Sequence, residues 1–160
     1  MITIHKGKHR GTPWTIQLIR SSRITKTFTF TESCLYDLPV SEINKLFGYS
    51  YDLLNKDSVR IGWKANKNTI QLWTYFHKNW TRSNPKVKLG EFNINEPIKC
   101  EIRTEKDITY FVINDKLLYS TKFKKKYWGW KSNIYFGGQT PAPHTMLIEE
   151  RDENSNKSKE

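Results

Sequence analysis

Arg60, Gln71, Trp73, Tyr75 and His77 are the residues of this 160-residue chain whose types and spacing best suit ligand chemistry. They fall in two runs, Ser58-Val-Arg-Ile-Gly-Trp63 and Thr69-Ile-Gln-Leu-Trp-Thr-Tyr-Phe-His77, that both alternate. Side chains on a strand project to opposite faces with a period of two. Val59, Ile61 and Trp63 therefore share one face, as do Ile70, Leu72, Thr74 and Phe76. Paired as a hairpin, the two runs give an apolar face for a core and an opposite face carrying Arg60, Gln71, Trp73, Tyr75 and His77. Flat rings beside hydrogen-bonding groups suit a small ligand with a flat or ring-shaped face. Arg60 has two readings of equal standing. A guanidinium stacked on Tyr75 or Trp73 still offers a fork to a carboxylate, sulfate or phosphate, or the stack only stabilises the sheet. His144, after two prolines, either points into the same site or bonds a neighbouring loop.

A second group lies in Lys122-Phe-Lys-Lys-Lys-Tyr-Trp-Gly-Trp-Lys131. Lys124, Lys125, Lys126, Trp128 and Trp130 interleave positive charge with aromatic rings, the combination that grips phosphates and stacks on bases. The competing reading is a solvated basic loop whose aromatics tuck back into the core.

Other chemistries lack their residues. Two-carboxylate catalysis needs a facing acid pair, and the one acid on a central strand pattern, Glu101, sits between Lys99 and Arg103 as in a cross-strand ion pair. His5, His9, His77 and His144 are scattered, with no HxH or CxxC pattern, so no metal is expected. There is no G-x-S-x-G motif and no glycine-rich phosphate loop, and no cofactor is expected.

The elements that must position these residues are strands. Six Trp, eight Tyr and eight Phe, with Ala65 and Ala142 the only alanines, favour sheet over helix. Alternation predicts strands over Trp14–Arg20, Ile24–Phe30, Ser58–Trp63, Thr69–His77, Val87–Phe92, Ile98–Arg103, Thr109–Ile113, Leu117–Thr121, Asn133–Phe136 and Thr145–Glu149, with turns at Glu105–Asp107 and Asn114–Lys116. Residues 1–13 read as a basic arm. Glu42–Tyr49 fits one short helix, with Ser41 as its cap and Gly48 as its stop. Gly137-Gly138 reads as a bulge or close approach at a strand end. The sum is one all-β domain over residues 1–150, a two-sheet antiparallel jelly-roll sandwich with one short helix, followed by a polar, disordered tail over 151–160.

The net charge is +11, and the tail does not supply it: residues 149–160 hold five acids and three bases, leaving +13 on the body. Such a field attracts polyanions, although general lysine richness accounts for it as well. Cys34 and Cys100 make no disulfide framework, no signal-like apolar run opens the chain and nothing spans a bilayer, so a reducing cytoplasm is expected.

The segment Tyr110-Phe-Val-Ile-Asn-Asp-Lys-Leu-Leu-Tyr119 resembles the strand, Asn-Asp turn and strand of concanavalin A-like lectin/glucanase jelly rolls. Lys45–Ser50, Ser58–Trp63 and Tyr135–Gly138 with Pro141–His144 are similar to uncharacterised proteins of Bacteroidetes and their phages. The first resemblance implies sugar binding. The acid-x-acid-x-x-acid run of the glucanases has no counterpart here, since Glu149-Glu150-Arg-Asp152-Glu153 is spaced differently, so glycosidase activity is not expected. The leading expectation is a non-catalytic protein holding a carbohydrate, anionic given the charge. Trp73 and Tyr75 would stack on the ring, Arg60 would meet its charge, and Gln71, His77 and His144 would supply hydrogen bonds. The alternative is a phage-type protein of the host cytoplasm that sequesters nucleotides or nucleic acid. A third is a polysaccharide lyase using Arg60, Tyr75 and His77.

Overall fold

Alternation decides the architecture, and the two most strictly alternating runs pair as expected. In the computed structural model, which describes residues 1–38, 42–52, 56–78, 81–83, 86–123 and 129–153, the strands are β1 (Ile2–Ile4), β2 (Gly11–Thr12), β3 (Leu18–Ile19), β4 (Arg23–Phe30), β5 (Asn44–Ser50), β6 (Ser58–Asn66), β7 (Thr69–Lys78), β8 (Thr81–Ser83), β9 (Lys88–Asn93), β10 (Pro97–Glu105), β11 (Ile108–Ile113), β12 (Lys116–Lys122), β13 (Gly129–Ser132) and β14 (Met146–Asp152). They form two antiparallel sheets. The first has the order β12-β11-β10-β4-β14-β1-β2; the second has β3-β13-β5-β6-β7-β8, with β9 also pairing β7. Among the described residues the one helical element is a 3-10 turn at Glu32–Cys34.

The sheets face each other across a core of aromatic and branched side chains. Phe28 of β4 meets Phe47 of β5 with ring centroids 5.2 Å apart, Phe30 meets Trp63 at 5.0 Å, and Phe76 of β7 meets Phe111 of β11 at 5.4 Å. Each pair bridges the sheets and contributes about 0.5–1.5 kcal/mol beyond the area it buries. One polar thread crosses the same space: Tyr49 Oη lies 3.0 Å from Thr104 Oγ1, which lies 3.0 Å from Thr109 Oγ1. The Asn114-Asp115 turn has φ of 48° and 63°, the left-handed pair that a tight hairpin requires.

Five local expectations are corrected. Glu42–Tyr49 is not a helix. From Asn44 it is strand β5, where Lys45 pairs Gly62 and Phe47 pairs Ile61, leaving Leu46 as an extra, bulged residue. The bulge buries Leu46 and Phe47 together, and this produces the three- and four-residue apolar spacing that reads as helical. The basic arm is partly strand, because Ile2–Ile4 pairs with β14 and Gly11–Thr12 with β1. The stretch Trp14–Arg20 keeps only Leu18–Ile19 as strand. At Thr15 the Asn133 side-chain amide replaces the ladder, donating to the Thr15 carbonyl at 2.7 Å, and Trp14 and Ile16 are 40% and 76% exposed instead of facing the core. The strand expected at Asn133–Phe136 lies earlier, at β13, and Tyr135 makes isolated bridges to Arg10 and Lys45. At the other end, β14 runs through Arg151 and Asp152.

Gly48 fixes the spacing of β5 and β6. Its φ is +153°, and a Cβ there would lie 2.1 Å from the Val59 carbonyl oxygen and 2.7 Å from Arg60 Cα. Backbone atoms cannot yield as a side-chain tip can. Gly48→Ala is therefore expected to cost roughly 1–3 kcal/mol or more. Gly7→Ala, where φ is +73° and nothing lies within 4 Å of the new Cβ, should cost only the left-handed strain of about 1 kcal/mol. Urea midpoints of the two variants check the difference.

Candidate ligand-binding face

The outer face of the second sheet follows from the register of β5, β6 and β7. Arg60 stands opposite Tyr75, Ser58 opposite His77, Gly62 opposite Trp73 and Lys64 opposite Gln71. Across β5, Gly48 faces Arg60 and Lys45 faces Gly62. Because Val59, Ile61, Ile70 and Leu72 are buried on the core side, all of the others share the outer one.

These side chains form a layer of alternating cations and rings. The Arg60 guanidinium lies 4.8 Å from the Tyr75 ring centre, and its Nη2 is 3.4 Å from His77 Nδ1. The Tyr75 and His77 rings are 5.1 Å apart. Lys45 Nζ sits 5.0 Å from the Tyr75 ring and 5.6 Å from the Tyr135 ring, and donates to the Gly137 carbonyl at 2.5 Å. Beyond it His9 stacks on Tyr135 with centroids 5.1 Å apart, and its Nδ1 donates to the Phe136 carbonyl at 2.8 Å. Cation–ring contacts of this kind reach about 2 kcal/mol when desolvated.

Exposure divides the face. Tyr75, Arg60 and Lys45 are 2%, 6% and 7% exposed, so the Tyr75 ring is covered, in place of the open stacking surface expected for it. Trp73 is half-buried, with Lys64 Nζ 4.7 Å from its ring centre. Gln71 turns to the rim, where its Nε2 donates to Glu91 at 3.3 Å. Lys88, Thr69 and Asn66 donate to the same Glu91 carboxylate and, with Gln71, hold its carboxyl down to about 2.

A groove borders this layer. Its volume is about 280 Å³, and it is lined by Arg60, Ser50 and Ser132 together with Trp130, Tyr135 and Trp14. Small-ligand sites run from roughly 300 to 1,000 Å³, so this one suits a single ring of a longer ligand. Arg10, 4.9 Å from the Trp14 ring centre, adds a second guanidinium. Asp52 also borders the groove, but its carboxylate accepts the N–H groups of Lys56 at 3.0 Å and Asp57 at 2.9 Å. Of the residues singled out from sequence, Arg60, Trp73, Tyr75 and His77 come together in the layer, and Trp130 joins Arg60 in the groove. His144 is elsewhere: its Nε2 donates to the Ser33 carbonyl at 2.8 Å. Lys124, Lys125, Lys126 and Trp128 lie outside the described residues. Glu101 pairs with Arg23 at 2.6 Å and Arg103 at 3.7 Å. No group of three or more His, Cys, Asp or Glu suited to a metal occurs among the described residues.

Lys45, Tyr135, Arg10 and Trp14 escape sequence reading. Lys45 is masked by the helical look of the bulge. Tyr135 does alternate with Ile134 and Phe136, both buried, and that parity alone marks it as outward.

The loop behind Tyr135 is held by a carboxylate. Gly138 N–H donates to Glu42 at 2.8 Å, with Gln139 and Thr140 at 3.2 and 3.4 Å. Asn44 Oδ1 accepts from Gly137 N–H at 2.6 Å. These backbone donors, led by Gly138, hold the Glu42 carboxyl below its ordinary value of 4.5. A lowered carboxyl stabilises the fold above its ordinary value, and that share is lost as pH falls through the folded-state value. Glu42→Ala should cost roughly 1 kcal/mol at neutral pH. The gap from the parent chain should narrow as pH drops below 4.5. Urea midpoints at pH near 7 and near 3 check both signs.

No protein-family model and no curated protein matches this sequence. Solved structures match in fold. An alginate lyase from Pseudomonas aeruginosa is 9% identical with a TM-score of 0.56 over 83% of this chain and 65% of its own. The alginate lyase AlyC3 is 12% identical with a TM-score of 0.57 over 93% and 69%. A functionally unknown protein from Saccharomyces cerevisiae is 9% identical with a TM-score of 0.52 over 95% and 86%. The chain thus spans about 65% of the length of the Pseudomonas lyase. The similarity to proteins of Bacteroidetes and phages gains no support from these matches. At such identities the likeness is one of fold, and the fold is that of a jelly-roll β-sandwich.

Proposed function

We propose that the chain binds an acidic oligosaccharide, with one charged sugar seated in the Arg60 groove. The observation that carries this reading is a groove lined together by Arg60, Arg10 and the rings of Trp130, Tyr135 and Trp14. A carboxylated sugar would bring an anion to Arg60 and Arg10, and apolar ring faces to Trp14 and Trp130. Two of the fold neighbours are lyases of alginate, a polymer of uronates, and the basic body of the chain favours the same ligand class. Trp73, His77 and Gln71, on the more open part of the face, extend the surface for further sugars. Tyr75, being covered, supports Arg60 rather than touching the ligand.

A second reading, turnover by β-elimination, is favoured by the 3.4 Å approach of Arg60 Nη2 to His77 Nδ1. It sets a charge-neutralising group beside a titratable ring.

Calorimetric titration with a tetrauronate and with a neutral tetraglucan separates the outcomes. The tetrauronate should bind and the glucan should not. Affinity should fall with added salt and drop about tenfold, ~1.4 kcal/mol, in Trp14→Ala, an exposed position that leaves the core intact. Arg60→Lys, which keeps the charge but not the fork, should lose a similar amount. Equal binding of the neutral glucan, or an unchanged affinity in Trp14→Ala, would overturn the reading. Release of unsaturated uronate from the polymer, lost in His77→Ala, would establish turnover in place of simple binding.

A further inference from the structure

A second charged cluster lies between the sheets, away from the Arg60 layer. Along β4 the core-facing positions run Ile24, Lys26, Phe28, Phe30, and along β14 they run Met146, Ile148, Glu150, Asp152. On β13, Lys131 stands opposite Tyr49, whose side chain is buried in the core. At this end of the sandwich, positions that elsewhere hold Phe or Ile hold two lysines and two acids. Lys26 is ion-paired with Glu150 and stands opposite Asp152 in the ladder. Lys131 Nζ donates to Thr15 Oγ1 at 3.2 Å.

The cluster divides two cavities, of about 240 and 250 Å³, that share Lys26, Phe47, Lys131, Ser132 and Asp152. The first also contains Glu150. The second differs in character. Its apolar wall is Leu18, Ile19, Ile24 and Phe47, and its charged groups are Arg20, Arg23, Lys26 and Lys131 against Asp152. Arg23 is engaged with Glu101 and Lys26 with Glu150. Lys131 is the basic group on the sheet opposite both.

We propose that the second cavity binds an amphipathic monoanion, a medium-length alkyl chain ending in a carboxylate, with the chain along Leu18, Ile19, Ile24 and Phe47 and the head on Lys131. Charge complementarity selects this class. An apolar wall alone takes any hydrocarbon, but an excess of cations beside it favours a negative head. Lys131 supports the assignment. Burial holds its ammonium below the ordinary 10.5, with Lys26 adding to the effect and Glu150 and Asp152 opposing it, so a bound carboxylate would relieve an existing cost. The site borders the Arg60 groove, sharing Gln17, Lys131 and Ser132 with it, but uses neither Arg60 nor the aromatic walls.

Decanoate is the probe, with 1-decanol and butyrate as controls, in titrations of the intact chain followed by NMR. Saturable one-to-one decanoate binding is expected, at least tenfold tighter than for either control. The Lys131 side-chain resonances should shift on titration with decanoate. Leu18→Glu, at a position 39% exposed on an edge strand, should fold and weaken decanoate at least tenfold, while its tetrauronate titration matches that of the parent chain. The proposal is overturned if decanoate does not saturate, if decanol binds as tightly, or if Leu18→Glu leaves decanoate binding unchanged. Failure of tetrauronate to bind would count against the groove alone.

Discussion

The three aromatic pairs that bridge the sheets set the constraint on which the rest of the molecule depends. Phe28 with Phe47, Phe30 with Trp63 and Phe76 with Phe111 place aromatic rings of β5, β6 and β7 against β4 and β11. Once these side chains are committed inward, period-two geometry leaves no choice for their neighbours. Arg60, Gly62, Trp73, Tyr75 and His77 must point outward, and a one-residue slip of β6 or β7 would exchange the two sets entirely. The outer layer is thus a consequence of the core, and its precision is inherited from close packing.

That outer layer is unusual in what it buries. A covered ammonium and a covered guanidinium each lose several kcal/mol of hydration unless partners replace the water. Lys45 is compensated by two tyrosine faces and the Gly137 carbonyl. Arg60 is compensated by Tyr75 and His77. Tyr75 serves both cations, so the two sites are energetically coupled through one ring. The loop carrying Tyr135 is in turn pinned by Glu42 and Asn44, which flank Ile43 just ahead of Lys45 in sequence. One short stretch of chain therefore anchors the loop and supplies the cation that the loop partly covers.

Much of this was legible in the sequence where structure is local. The β6–β7 hairpin, its inward and outward sets and the Asn114-Asp115 turn follow from alternation and turn chemistry, and they bring Arg60, Tyr75 and His77 together. What escaped depends on distant partners. Ile2–Ile4 is too short to declare itself and becomes a strand by pairing with β14. The bulge at Leu46 converts a strand pattern into a helical one, which hid Lys45. Trp14 alternates with Ile16 and Leu18 as a core strand would, yet the side-chain amide of Asn133 holds that segment along the sheet edge and turns Trp14 toward the groove. Burial of Tyr75 also escaped, because alternation assigns a side chain to a face without saying what lies over it.

These particulars locate the groove at the edge of the layer rather than over its centre. Where Lys45 and Arg60 pack against the Tyr75 ring, the surface is closed and has little left to offer a ligand. At the β13 side the small side chains of Ser50 and Ser132 line the groove with Arg60, and the rings there are Trp130, Tyr135 and Trp14. A guanidinium already held by Tyr75 meets a ligand without losing further side-chain freedom, which is the condition under which a single charge contributes most to affinity. On the proposed reading, burial of Arg60 and its use in recognition have the same origin. The packing that buries Arg60 also leaves it lining the groove, where an anion would meet it on the proposed reading.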